Sequence, residues 1–503
     1  MQSGNLLYLN EKNFLRQIMI EEQVKIHDKF SLEIKLGFLA KKPHINEFSV
    51  STWIFIPNSL DINRWNYQKG DFYKDLKANI RLITPVYTLA ELADENEEPY
   101  RFLKEAVIQL CKHPSGQTSA SYEYHIRMFI SIMKSALREE VNFIVGNRDN
   151  NLHELTDNFI RNATKAAAIY RDLKKYVDKP GMKGDLMNYY LFGDEFMSNL
   201  IEQHAFKLID NLQRKKRLND EIRKALMDLI HFELDYKKEN GYVYVDKNSK
   251  DNNREVVFRL SLLKKYAENE LFLDVRRRRE GVWIEQIYFS IAAGISMIFA
   301  TAVAFSFQRQ YGNLTMPFFV ALVISYMLKD RLKELARYYL AHRLGRRFFD
   351  VKTDISLNEN NIGWHKEGMD FISERKVPAE VMRIRQRSFI LEAENRNNKE
   401  QIILYRKLVR LKRDKLEQVS PFPTAGMNDI IRFNVSNYIQ KMDNPEVPLF
   451  IPEEDGSIGI IKGEKMYYIN FIMQLKHSGG MRYKRYRVVM NRKGIQGIER
   501  FEV

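Results

Sequence analysis

The stretch from Gln286 to Leu328 constrains this chain more than any other. No charged residue occurs from Gln286 to Gln308; Arg309 interrupts, and none follows from Gln310 to Leu328. At about 1.5 Å per residue, Ile287–Phe307 would reach roughly 30 Å as a helix, the thickness of a bilayer's hydrocarbon core. The second run, Leu314–Leu328, is short for a span and needs help from Tyr311 and the stem of Lys329. A polar turn, QRQYGN, separates them. The pattern predicts a two-helix transmembrane hairpin over 286–328. The alternative is two buried helices of a soluble core, and the basic flanks argue against it.

Those flanks also suggest an orientation. Arg276, Arg277, Arg278 and Arg279 precede the first run, and Lys329, Arg331 and Lys333 follow the second, while the turn carries only Arg309. Positive charge stays on the cytoplasmic side. The expectation is a multi-pass cell-membrane protein with two spans, both termini cytosolic and these seven residues at the membrane surface.

The sole cysteine, Cys111, excludes a disulfide framework and a thiolate metal site, and fits a reducing compartment. The N-terminal MQSGNLLYLNEKNFLRQ lacks a basic segment followed by an apolar one, so no signal peptide is expected. Net charge is +15 and uneven: from Lys329 onward 34 Lys and Arg face 23 Asp and Glu. The basic excess therefore sits beside the apolar runs and in the C-terminal part, where anionic lipid headgroups are the first partner to consider. Nucleic acid or a nucleotide is the second and less favoured one.

In chain order, alternation predicts strands at 30–40 and 48–57, joined by the turn-like KKPHINE as an antiparallel hairpin; the second strand, apolar on both faces, should be the more buried. A helix is expected from Asp71 to Pro85. Helical spacing then continues at about 98–112, 118–145, 151–177, 185–213, 219–238 and 255–279, the last read as a stalk running into the first span. Residues 351–376 look irregular. A helix should start at Pro378, and strands at about 466–476, 481–490 and 495–502 should form a small antiparallel sheet. The fold class is thus a mainly α membrane protein. Its segments are an N-terminal α+β part (1–97), a cytosolic helical bundle and stalk (98–280), the hairpin (286–328), a basic juxtamembrane helix and connector (329–377) and a basic α+β domain (378–503).

No catalytic motif is present: there is no phosphate-binding GxxxxGK[ST], no HExxH and no GxSxG. Gly456, Gly459 and Gly463 lie in a hairpin turn and open no helix. Asp228 and His231 share a helical face, but no matching motif completes a metal site, and no cofactor is expected. In MRYKRYR, basic residues alternate with tyrosines, which makes Arg482, Lys484, Arg485 and Arg487 candidates for anion or phosphate binding; an edge strand guarded by charge is the plainer reading. Ser290 with Gly294, and Ala300 with Ala304, have the spacing that lets helices approach closely in lipid, within the chain or in a homo-oligomer.

The turn Tyr311-Gly312-Asn313 after a long helix resembles the YGMN turn of CorA-type magnesium channels. The resemblance spans three residues, lacks the Met, and implies at most a shared arrangement of stalk, span and turn. The sequence leads to a non-enzymatic, membrane-anchored sensor or scaffold whose basic C-terminal domain binds anionic lipid or a partner. The alternatives are an oligomeric channel gated by stalk helices, or a membrane-bound enzyme with a site scattered across the fold.

Overall fold

The computed structural model describes residues 19–41, 44–147, 151–178, 184–280, 282–312, 315–344, 349–386 and 400–502. Asn313 of the CorA-like turn lies outside them. The chain forms two compact units: Arg81–Leu273 with Ser420–Ala425, and the remainder. Residues from both the 1–97 and 378–503 segments enter the second of these.

The first unit is helical. Its long helices are α1 (Glu98–Lys112), α2 (Gly116–Gly146), α3 (Leu152–Asp172), α4 (Gly184–Arg214), α5 (Asp220–Glu239) and α6 (Lys250–Glu268). Starts are set by capping side chains: Ser115 accepts from Thr118 N, Asn219 from Ile222 N and Ser249 from Asn252 N. The core mixes stacked aromatics with buried charge. The Phe129, Tyr170 and Tyr190 rings stack at 5.8 and 5.3 Å between centres. Beside them Arg171 bridges Asp194 (3.1 Å) and Glu233 (2.8 Å), Arg259 holds Glu195 (2.7 Å) and Lys237 holds Glu202. The hydroxyls of Ser198, Tyr236 and Tyr242 donate to the same carboxylates. Buried carboxylates are tolerated only when paired and fully hydrogen-bonded in this way.

The second unit is built on strands: β1 (Ile20–Asp28), β2 (Ser31–Leu39), β3 (Ile45–Ile56), β4 (Leu76–Leu82), β5 (Asp274–Arg279), β6 (Val351–Leu357), β7 (Asn360–Ile372), β8 (Gln401–Lys412), β9 (Gly426–Asn434), β10 (Glu446–Pro452), β11 (Ile458–Glu464), β12 (Tyr467–His477), β13 (Gly480–Asn491) and β14 (Gly494–Phe501). They form an eight-stranded sheet ordered β14-β13-β12-β3-β8-β7-β6-β5, a four-stranded sheet ordered β1-β2-β9-β4, and the separate pair β10-β11. The two larger sheets share an aromatic core in which Phe38 meets Phe48, and Phe433 meets both Phe72 and Phe471. Lys407 on β8 is fully buried against Asp429 on β9 and Glu367 on β7. Burial works against its charge, and the two carboxylates outweigh it, holding its pKa above the usual lysine value. On the outer face of β3, Trp53 and Phe55 are covered by Val377, Val381 and Ile384 of the short helix Ala379–Arg385 and its approach.

From the sheet rise α7 (Val282–Tyr311) and α8 (Met316–Leu344). They pack antiparallel: Ala292, Ser296, Ala321 and Ser325 are the buried contacts, the Ser325 hydroxyl points to Ala300 O at 3.4 Å, and Arg337 lies 5.1 Å from the Phe289 ring centre.

Several expectations are corrected. The mainly α class gives way to a mixed fold, about 51% helix and 29% strand. The two-helix transmembrane hairpin is overturned: among the described residues one helix, Gln286–Tyr311, is long and apolar enough to cross a membrane. The apolar part of α8, Met316–Leu328, reaches only about 20 Å, and charge follows from Lys329. The expected hairpin of strands 30–40 and 48–57 does not form, because β2 and β3 belong to different sheets and β2 pairs instead with β1 and β9. β3 is buried on both faces only from Thr52 to Ile56, and it takes a central place, between β12 and β8. The stalk ends at Glu268; Arg276–Arg279 form an edge strand instead. The 71–85 helix breaks at Asp75 into β4, and residues 351–376 are largely strand. The C-terminal strands complete the large sheet.

Candidate functional site

The helix pair is rooted in one edge of the large sheet. β5 leads into α7, and β6 follows α8 in the chain; the two strands are paired, with Arg279 opposite Val351. Glu280 N donates to Asp350 O at 3.1 Å, continuing the ladder to the foot of the helices. Asp350 fixes this junction by accepting from Lys69 Nζ (2.6 Å), the Tyr73 hydroxyl (3.0 Å) and Met369 N (2.7 Å). Lys366 pairs with Glu280.

This geometry places the arginine quartet at the foot of α7. All four side chains are exposed on the outermost strand. Arg278 bridges Asp354, and its hydrogen bond holds the Asp354 carboxyl below the usual range. Arg277 lies 5.1 Å from the Tyr73 ring centre. Among the described residues Arg276 and Arg279 have no carboxylate partner. A row of unpaired backbone groups bordered by arginines resists pairing with another strand, and it can also bind a dense array of anions.

Along the helices, α7 is mostly uncovered, with 11% of its apolar window buried. That separates it from a core helix of a soluble domain, and its place in mid-chain separates it from a signal sequence. Ile287, Ile291, Ile298 and Phe305 point outward. Ser290 and Gly294 lie on the uncovered side: the Ser290 hydroxyl bonds back to Gln286 O at 2.9 Å, and a Cβ built on Gly294 meets nothing within 4 Å. Ala300 faces α8, and Ala304 is half-buried. Further out, an apolar groove of about 530 Å³ separates the helices, with Phe299 and Val303 on one wall and Val320 and Ile324 on the other. On α8, Lys329 lies over the Tyr326 ring at 3.9 Å, Arg331 stands 3.8 Å from Glu334, and Lys333 has no ion pair among the described residues.

The candidate anion residues of β13 are largely neutralised. Arg482 bridges Glu22 at 2.7 Å and also meets Ile20 O; Lys484 lies 3.5 Å from the same Glu22, and Arg487 pairs with Glu499 at 3.1 Å. Arg485 is buried, donates to Ile384 O at 2.9 Å and stacks on Phe501 at 4.3 Å. Burial, with Arg385 and Arg487 nearby, pushes its pKa down to about 10. The strand uses its cations to lock β1 and β14 in place.

Sequence reasoning missed the sheet edge because arginine runs carry no strand signal of their own. Alternation in Val351, Thr353, Ile355 and Leu357 could have found its neighbour β6. Asp228 and His231 remain on α5, and no group of three metal-binding side chains forms among the described residues. No family model matches this chain, and neither a curated protein nor a solved structure is similar to it.

Proposed function

We propose that this chain is a membrane-anchored scaffold that holds its sheet unit against an anionic bilayer surface, with its helical unit free to recruit or sense. α7 supplies the attachment and β5 the headgroup contacts. The observation that carries this reading is the rooting of an exposed apolar helix in a strand of four arginines. If α7 enters the hydrocarbon, only two residues separate Arg279 from Val282, the first residue of the helix, so these arginines lie at headgroup depth. Each basic side chain near an anionic surface contributes about 1 kcal/mol, so Arg276, Arg277 and Arg279 together are enough to orient the sheet.

The test uses full-length protein in nanodiscs of neutral or anionic lipid. β5 has one unpaired edge, and the amides facing it exchange with solvent. Anionic lipid should slow exchange in Asp274–Arg279, and substitution of Arg276, Arg277 and Arg279 by Gln should remove the protection. Arg278 is kept because it holds Asp354. Equal exchange in both lipids would sink the headgroup role. Quantitative release of the protein by an alkaline carbonate wash would sink the attachment.

A further inference from the structure

The helical unit contains a second kind of site, independent of the membrane reading. A cavity of about 260 Å³ lies between α1 and α2, capped by Pro421. Residues 102, 105, 106 and 109 form one face of α1, and residues 118, 121 and 125 one face of α2, as helical spacing requires. Phe102 and Ala106 supply the apolar wall. Glu105, Gln109, Ser121 and His125 supply the polar one.

Three features define what would fit. First, the only formally charged lining residue is Glu105; no lysine or arginine lines the cavity. Second, the polar groups are uncommitted. Among the described residues the side chains of Glu105, Gln109 and Ser121 make no hydrogen bond or ion pair, whereas the Thr118 hydroxyl already donates to His113 O. His125 Nδ1 is buried with no partner. Third, the imidazole is wedged among rings: Tyr124 lies edge-on at 5.2 Å, Phe422 at 5.8 Å and Phe102 at 6.0 Å. Burial pushes its pKa down to about 4, so at neutral pH the ring is uncharged and does not repel a cation.

We propose that this cavity binds a small organic ammonium compound, with Glu105 pairing its charge and Phe102 and His125 flanking its carbon body. At about 30 Å³ for each water-sized group, the volume accommodates roughly nine non-hydrogen atoms. A ligand of that size binds in about the millimolar range when its contacts are ordinary.

The probe is phenethylammonium, with 3-phenylpropionate as its anionic counterpart, titrated onto detergent-solubilised full-length protein and read by saturation-transfer NMR at neutral pH. The ammonium compound should saturate and bind at least about tenfold more tightly than the carboxylate. Glu105→Gln, at an exposed position that tolerates substitution, should weaken it by about tenfold. Ser121→Trp, at the exposed rim, should block it. Absence of saturation by about 10 mM, equal binding of the two probes, or indifference to Glu105→Gln would each overturn the proposal.

Discussion

Two helices of nearly equal length, α4 with 31 residues and α7 with 30, sort their side chains in opposite ways. α4 turns Asp194, Glu195 and Glu202 into the protein, where cations from α3, α5 and α6 meet them. α7 turns Ile287, Ile291 and Ile298 away from the protein, exposed by 55%, 48% and 71%. Burying a carboxylate costs several kcal/mol unless a partner is built for it, so α4 is specified by its neighbours. Exposing a stripe of isoleucines to water forfeits about 25 cal/mol for each Å² left uncovered, so the outward face of α7 is not accounted for by its neighbours in the chain. One helix is explained by contacts within the chain. The other leaves an apolar face that those contacts do not cover.

Breaking a buried pair is the sharpest test of the first half of this contrast. Arg171→Met leaves Asp194 and Glu233 buried without their cation. The helical unit should lose about 3–5 kcal/mol, read as a lowered denaturation midpoint and faster amide exchange in α4 and α5. A loss below about 1 kcal/mol would mean that water reaches these carboxylates.

The second half predicts the reverse pattern for α7. Ile298→Asp should leave the denaturation midpoint of the helical unit unchanged. It should reduce membrane insertion by about 2.5–3.5 kcal/mol, measured as the fraction retained on vesicles after a carbonate wash. Retention equal to the parent protein would show that Ile298 faces protein, in an assembly, and not lipid.

The contrast also explains what the sequence made legible. The helices of the bundle were readable because an amphipathic helix records its own surroundings: apolar residues recur along the face it buries. Observed bounds fall within a few residues of the expected ones for α1, α2, α4 and α5. The buried charges of α4 and α5 were unreadable, since Asp194 and Glu233 look like solvated residues until their partner Arg171 is placed. Strand pairing was the weakest part. β2 and β3 are neighbours in sequence, yet β2 pairs with β1 and β9, and β3 with β8 and β12. Alternation marks a strand and its buried face but does not name its partner. For α7, the uncharged run was plain; the second run was seen to be short, and the help expected from Tyr311 and the stem of Lys329 does not make α8 long and apolar enough to span. Of the candidate site, the arginine quartet was recognised. Its presentation on a sheet edge was not, because long-range pairing with β6 creates that edge.

A pH titration separates the two regions again, with a smaller effect. His204 on α4 is buried and bonds to Leu200 O at 2.7 Å. Burial pushes its pKa down to about 4, and Lys207 adds to the shift, while the Leu200 bond opposes it. The unfolded chain takes up a proton near pH 6.5 that the folded chain refuses until about pH 4. The unfolded state therefore binds more protons across that window, and stability falls as pH drops through it. At pH 5 the cost is about 2 kcal/mol relative to neutral pH. His204→Gln should flatten the pH dependence of the helical unit by about that amount. An unchanged slope would assign the acid sensitivity to other groups, such as His125. Retention on vesicles should not change over the same range, because no Asp, Glu, His, Lys or Arg lies in α7 between Gln286 and Gln308.

The smallest effect lies on the uncovered face of α7. Ser290 and Gly294 are exposed, and α8 packs instead on Ala292, Ser296 and Ala300. Gly294→Ala adds a methyl group where nothing lies within 4 Å. The chain's own fold should respond only through helix propensity, a stabilisation of at most about 1 kcal/mol. Gly294→Leu should likewise leave the α7–α8 pairing intact, whereas Ala292→Leu, at a position with no exposure, should push the helices apart. A second copy of the chain packed along Ser290 and Gly294 would need close backbone approach, and a leucine there would prevent it. The measurement is the oligomeric state of Gly294→Leu in bilayers, by single-molecule mass or cross-linking, with Ala292→Leu as the variant that disturbs the chain itself. If Gly294→Leu dissociates an assembly that the parent protein forms, α7 joins α4 as a helix specified by protein contacts, those of its neighbour copy. If the oligomeric state is unchanged, the small residues face lipid and the contrast between the two helices holds along the whole length of α7.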